Sequence, residues 1–94
     1  MDEPLRSKDA PREHFSKEAL ELIKFIAAHL VDEPEKVQTS FYHGEQTTVL
    51  TLKVSKADVG KIIGKQGKMA DALRTILKSL AAKEGFRAVL EIEE

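Results

Sequence analysis

The chain has 94 residues, 41% of them hydrophobic and 33% charged, a formal net charge of -1 and no cysteine. It is sized for one small domain with a single core, too apolar for disorder throughout, and it excludes disulfides, thiolate metal sites and cysteine nucleophiles. The longest apolar run, residues 25–31, is interrupted by His29 and falls far short of the roughly 20 residues that span a bilayer, and residues 1–4 carry no export signal, so a cytoplasmic location without a membrane partner is expected.

Residues 1–14 mix charges with Pro4 and Pro11 and show no apolar period, which predicts a flexible N-terminal arm ahead of one domain over 15–94. Ser16 has the chemistry of a helix N-cap, with Phe15 and Leu20 placed as the two halves of a hydrophobic staple. Leu20, Ile23, Ala27, Leu30 and Val31, with Ile26 beside them, recur at helical steps, and Asp32-Glu33-Pro34 ends the helix. Val37, Thr39, Phe41 and His43 alternate with Gln38, Ser40 and Tyr42 as a half-buried strand. After a turn at residues 43–46, the β-branched run 47–54 puts Leu50, Leu52 and Val54 on one face, which completes a hairpin.

Ser55 and Asp58 stand at capping-box spacing before a short helix carrying Val59, Ile62 and Ile63. A long helix follows Gly67, with Met69, Leu73, Ile76, Leu77, Leu80 and Ala81 as the expected buried stripe and Gly85 as its terminator. Phe86, Ala88, Leu90 and Ile92 then alternate with polar neighbours as a third strand. The order is αββααβ, an α+β fold in which three helices pack on one face of a three-stranded sheet.

The near-neutral total hides a segregation of charge. Residues 53–87 hold nine basic and three acidic side chains, a net of +6, flanked by segments of net -4 and -3. Such a distribution suits a local anion-binding surface. Within it lies Gly64-Lys65-Gln66-Gly67. A GxxG spacing alone is weak, because five glycines in a chain of this length give one by chance about once in four chains. Here, however, it joins the end of one helix to the first turn of another. Gly64 is expected in the left-handed conformation that ends a helix, and two residues without Cβ would let a sugar-phosphate backbone approach closely. The amides around Gly67 to Met69 would favour a phosphate, with Lys65 and Lys68 adding charge. Single-stranded nucleic acid uses all of these features, with bases turned toward an apolar groove to which Ile63 contributes while Ile62 enters the core.

The string Gly60-Lys61-Ile62-Ile63-Gly64-Lys65-Gln66-Gly67-Lys68 resembles the signature of KH domains, whose helix-GxxG-helix clamps about four nucleotides of single-stranded RNA. The order αββααβ is that of the type II KH topology. Closer still than to KH domains in general is the resemblance to the small bacterial single-KH proteins of the KhpA family, over about four-fifths of the chain, including Ala72-Leu73-Arg74-Thr75. That resemblance implies a cytoplasmic RNA-binding protein or RNA chaperone that pairs with itself or with a larger KH-domain protein, and a link to control of cell shape and envelope growth. With the GxxG loop as the implied clamp, the candidate RNA-contacting residues are Gly64, Lys65, Gln66, Gly67, Lys68, Lys61, Ile63, Met69 and Arg74. Many KH domains have isoleucine where this chain has Ala70, which predicts a smaller groove floor.

Other functions lack a matching pattern. None of the five aromatic residues falls in the lysine-rich loop, which disfavours a base-stacking platform, and His14, His29 and His43 have no metal-ligand spacing. No nucleophile elbow or phosphate-binding loop of the Walker type occurs, so no enzyme, cofactor or small-molecule substrate is expected. The alternatives are a protein-interaction module using the same helix-GxxG-helix surface and a helix-turn-helix reader of duplex DNA.

Overall fold

The computed structural model describes residues 9–94. Its elements are α1 (Asp9–Leu30), β1 (Gln38–His43), β2 (Thr48–Lys53), α2 (Val59–Ile63), α3 (Lys68–Lys83) and β3 (Ala88–Glu93), with single 3-10 turns at Pro34–Lys36, Lys56–Asp58 and Lys65–Gly67. The αββααβ order and the α+β architecture are those expected from the sequence.

The sheet runs β1-β2-β3, with β1 antiparallel to β2 and β3 parallel to it. A parallel neighbour requires a crossover, and α2 and α3 supply it. Period-two alternation sets the faces: Thr48, Leu50 and Leu52 on β2, Val54 just beyond its end, and Ala88 and Leu90 on β3 are buried under the helices. The core joins them to Ile23 and Ala27 of α1, Ile62 of α2, and Leu73, Leu77 and Ala81 of α3.

Three readings need correction. First, α1 begins seven residues before Ser16. Residues 9–14 of the expected arm are its opening turns, and residues 1–8 lie outside the described residues. Pro11 is tolerated because the amide it lacks in a first turn has no intrahelical acceptor. The polar segment is held by Glu13–Lys17 and His14–Glu18 pairs at 3.0 and 3.4 Å rather than by an apolar stripe. Ser16 therefore caps nothing: it is buried inside the helix, its hydroxyl donates to the Arg12 carbonyl at 2.9 Å and meets His43 Nε2 at 2.9 Å. Phe15, the expected staple partner, instead packs its ring 5.7 Å from Phe86 in the core.

Second, Ser55 and Asp58 form no capping box. The Ser55 hydroxyl donates to the Asp58 carboxylate at 3.1 Å, and that carboxylate reaches back to α1. Third, the buried face of α3 is narrower than its apolar pattern. Ala70, Leu73, Leu77 and Ala81 are buried, whereas Ile76 and Leu80 are 43% and 39% exposed. Ile76 and Leu80 lie at the side of that face and stay partly open to solvent.

Candidate nucleic-acid interface

α2 has five residues, too few to persist alone. Two anchors hold it. Ile62 is fully buried, while Ile63 is half-buried beside the loop, the division expected from the sequence. The second anchor is Asp58, 1% exposed, whose carboxylate accepts from the amides of Asp32 and Glu33 at 3.1 and 3.0 Å. Those amides follow the end of α1, so Asp58 fastens the start of α2 to the preceding helix. Burial would raise the carboxyl's pKa, but the two amides, the Ser55 hydroxyl and the nearby Lys61 outweigh it and hold the group below its ordinary value.

Lys61 belongs to the same network. Its ammonium lies 3.2 Å from Asp32 Oδ2 and 3.7 Å from Asp58 Oδ1. The hydrogen bond to Asp32 and the charge of that carboxylate raise its pKa above the ordinary lysine value. Lys61 thus points back toward the acidic end of α1, with its charge engaged.

The loop itself is built from unusual backbone. Gly64 has φ 80° and ψ 173°, so it ends α2 at positive φ but in the extended, glycine-only region rather than in the left-handed helical one. An added Cβ there would lie 2.6 Å from Met69 Cβ and 2.8 Å from the Met69 nitrogen. Its absence lets the loop lie directly on the first turn of α3. The left-handed helical conformation falls instead on Gln66 (φ 57°, ψ 26°) and Gly67 (φ 75°, ψ 9°). Gln66 is the one non-glycine residue at positive φ among the described residues, a local strain of the kind that collects at binding sites.

A Cβ added to Gly67 would meet nothing within 4 Å, so this backbone is open to approach from outside. The amide supply is smaller than the sequence suggests. Gly67 N–H donates to the Gly64 carbonyl at 3.1 Å and Lys68 N–H to that of Lys65, so neither is left unsatisfied. No side chain caps the start of α3. Lys65, Gln66 and Lys68 are exposed, and neither lysine makes an ion pair among the described residues.

Beside the loop runs the free edge of β3. Both α2 and α3 pack against this strand. Carbonyls of Arg87 and Glu93 accept from Thr48 and Val54 on the β2 side, so strand alternation turns the backbone groups of Ala88, Leu90 and Ile92 outward. Arg74 Nε donates to the Leu90 carbonyl at 3.3 Å across this edge. With Lys78, one turn further along α3, and with Ala88, Val89 and Leu90, it lines a cavity of about 250 Å³.

The structure therefore brings Ile63, Gly64, Lys65, Gln66, Gly67, Lys68 and Met69 into one continuous surface, places Arg74 on the strand edge and directs Lys61 away. Ala70 is buried beneath the surface. Sequence reasoning missed the β3 edge and the Asp58 anchor. The i,i+4 spacing of Arg74 and Lys78, together with β3 following a helical crossover, is the signal that points to the edge.

A family model described as the KH domain of KhpA/KhpB matches residues 20–92. The chain belongs to the KhpA/KhpB family of KH domains. That is a family of binding domains and not of enzymes. KhpA relatives named RNA-binding protein cover most of both chains. One from Caldanaerobacter subterraneus subsp. tengcongensis is 49% identical over 72 residues, 77% of this chain and 96% of its own. One from Clostridium acetobutylicum is 51% identical over the same shares, and one from Borreliella burgdorferi is 49% identical over 78% of this chain and 89% of its own. Among solved structures, a crystal structure of an Aquifex aeolicus Era variant bound to GDP and aluminium fluoride superposes with a TM-score of 0.53 at 21% identity, over 80% of this chain and 29% of that one. That likeness speaks to the fold alone. A helix-turn-helix assignment has no support in an α2–α3 unit that serves as a strand crossover in a KH domain.

Proposed function

We propose that this chain binds single-stranded RNA by gripping its backbone at Gly64 to Lys68. The observation that carries the reading is the open left-handed backbone at Gly67, flanked by two exposed lysines that make no ion pair among the described residues. A phosphate meets no Cβ there and finds positive charge on both sides. Lys65, Gln66, Gly67 and Lys68 hold the strand; Ile63 and Met69 offer half-buried apolar surface to a base. Arg74 and Lys78 meet the next phosphates or bases along the β3 edge. Lys61 acts by fixing α2 through Asp32 and Asp58. The names of the KhpA relatives agree with RNA as the ligand.

A lone domain of this size covers few nucleotides, so useful affinity comes from a second domain acting in trans. The partner in this reading is a second copy of the chain, docked on an apolar strip where α1 meets α3. There Leu22, Ile76 and Leu80 are 39%, 43% and 39% exposed beside a hollow walled by Phe15 and Ala19. Sedimentation should show a dimer that Leu80→Glu converts to monomer. A cytoplasmic role as RNA chaperone or post-transcriptional regulator, with the family's link to cell shape and envelope growth, completes the proposal.

The direct test is fluorescence anisotropy of the wild type and of a Lys65→Asp/Gln66→Asp variant against a random single-stranded RNA pool and a DNA duplex. Aspartate tolerates the left-handed conformation at 66, so the variant should fold. The expected result is preference for RNA in the wild type and loss of about tenfold or more in the folded variant. Equal binding by both proteins, or preference for the duplex, contradicts the proposal.

A further inference from the structure

Four of the six large hydrophobic side chains that stand exposed among the described residues, Leu22, Phe25, Ile76 and Leu80, lie on α1 and α3. Leu22 and Leu80 line one hollow between the two helices, and Phe25 and Ile76 each stand one helical turn from them. The hollow measures about 240 Å³. Its apolar lining is Phe15, Ala19, Leu22 and Leu80, and charged residues that include Glu18 and Lys83 stand at its margin. An apolar pocket ringed by polar groups is the setting in which an aromatic anchor contributes most to binding.

Phe25 is the most exposed of the four, at 63%. Its ring is nonetheless held: it lies 4.4 Å from the ring of His29, whose Nδ1–H donates to the Phe25 carbonyl at 2.7 Å. A side chain already steered in this way loses less freedom when a partner covers it. The α1 residues that line the hollow centre about six positions before Phe25, roughly 10 Å along the helix axis, so the ring stands beyond the hollow of its own chain.

We propose that Phe25 fills this hollow in a second copy of the chain, the two copies exchanging the contact across a two-fold axis. The inference deepens, and rests on, the reading of the α1–α3 strip as the contact between copies. Antiparallel α1 helices that cross near Leu22 set each Phe25 over the other copy's hollow and Leu22 against its own counterpart, as an isologous contact requires. Size makes the anchor decisive. From Phe15 to His29, α1 is about 21 Å long, and two helices are about 20 Å wide, a face of roughly 400 Å² per copy before side-chain relief. Specific interfaces cover about 600 Å² or more per partner, so flat apolar area holds this pair weakly and a seated aromatic ring supplies the rest.

The test is sedimentation equilibrium of the full chain and of two variants, alone and mixed, with circular dichroism to confirm that each is folded. Phe25→Ala removes the ring and leaves the hollow, whereas Glu18→Trp fills the hollow from its margin and leaves the ring. Each variant alone should dimerise about tenfold or more weakly than wild type. Their equimolar mixture regains one of the two contacts, so a heterodimer tighter than either homodimer supports the exchange. A wild-type dimer that Phe25→Ala leaves at full affinity, or a mixture no tighter than its components, overturns the exchange while the strip remains the contact if Leu80→Glu still yields monomer. A wild-type chain that stays monomeric at about 1 mM overturns both.

Discussion

Met69 lies under Gly64 so closely that any side chain at 64 meets both its Cβ and its backbone nitrogen. Gly64→Ala should therefore cost about 3 kcal/mol in urea unfolding, combining a glycine-only conformation with a clash that a short helix cannot move away from. Gly67 is glycine for a different reason, since its missing Cβ faces open space. Asparagine tolerates the left-handed conformation, so Gly67→Asn should lower stability by about 1 kcal/mol or less while weakening RNA affinity about tenfold by standing where the strand approaches. The pair would separate packing from contact: two glycines of one motif, one required by the fold and one, in the proposed reading, by the ligand. Both roles were hidden in the sequence, where Gly64 and Gly67 are equivalent. Only the observed dihedral angles moved the left-handed conformation from Gly64 to Gln66 and Gly67.

α2 owes its position to Ile62 and Asp58, so the loop it carries depends on a buried carboxylate. Because the folded pKa of Asp58 lies below the ordinary value of 3.8, its contribution is present above about pH 3.8 and is lost as pH falls through the folded value. Lys61 has the opposite sign: its raised pKa gives a contribution complete below 10.5 and lost above it. The network is thus intact between those limits. Asp58→Asn should lower the urea midpoint at pH 7, and the difference from wild type should shrink as the pH drops below 3.8. A difference that stays constant across that range would remove Asp58's charge from the account.

The strands were legible because each has one face against helices and one toward solvent, which prints a period of two. The start of α1 was not, because polar i,i+4 pairs, Glu13 with Lys17 and His14 with Glu18, stand there where an apolar stripe is absent. The excess width of the α3 stripe misled for the reverse reason: Ile76 and Leu80 are apolar but lie off the buried face, 43% and 39% exposed. Asp58 was legible as a helix-start residue, but its true targets, Asp32 and Glu33, lie 25–26 positions away and no local pattern reports them.

Across the whole molecule, a net charge of -1 coexists with a basic segment of +6 between residues 53 and 87. The fold sharpens that distribution. Lys61 is drawn into pairs with Asp32 and Asp58, whereas Lys65 and Lys68 stay free of ion pairs among the described residues. Arg74 and Lys78 carry the positive charge along α3 to the β3 edge. Binding should accordingly be electrostatic at the backbone and weakly selective for bases. The measurement that tests this most directly is the salt dependence of single-stranded RNA affinity for wild type and the Lys65→Asp/Gln66→Asp variant. About three phosphate contacts predict a slope of log affinity against log salt near -2 for wild type, reduced by about 0.7 or more in the variant. A flat slope in the wild type, or the same slope in both proteins, would contradict a phosphate grip at the GxxG loop.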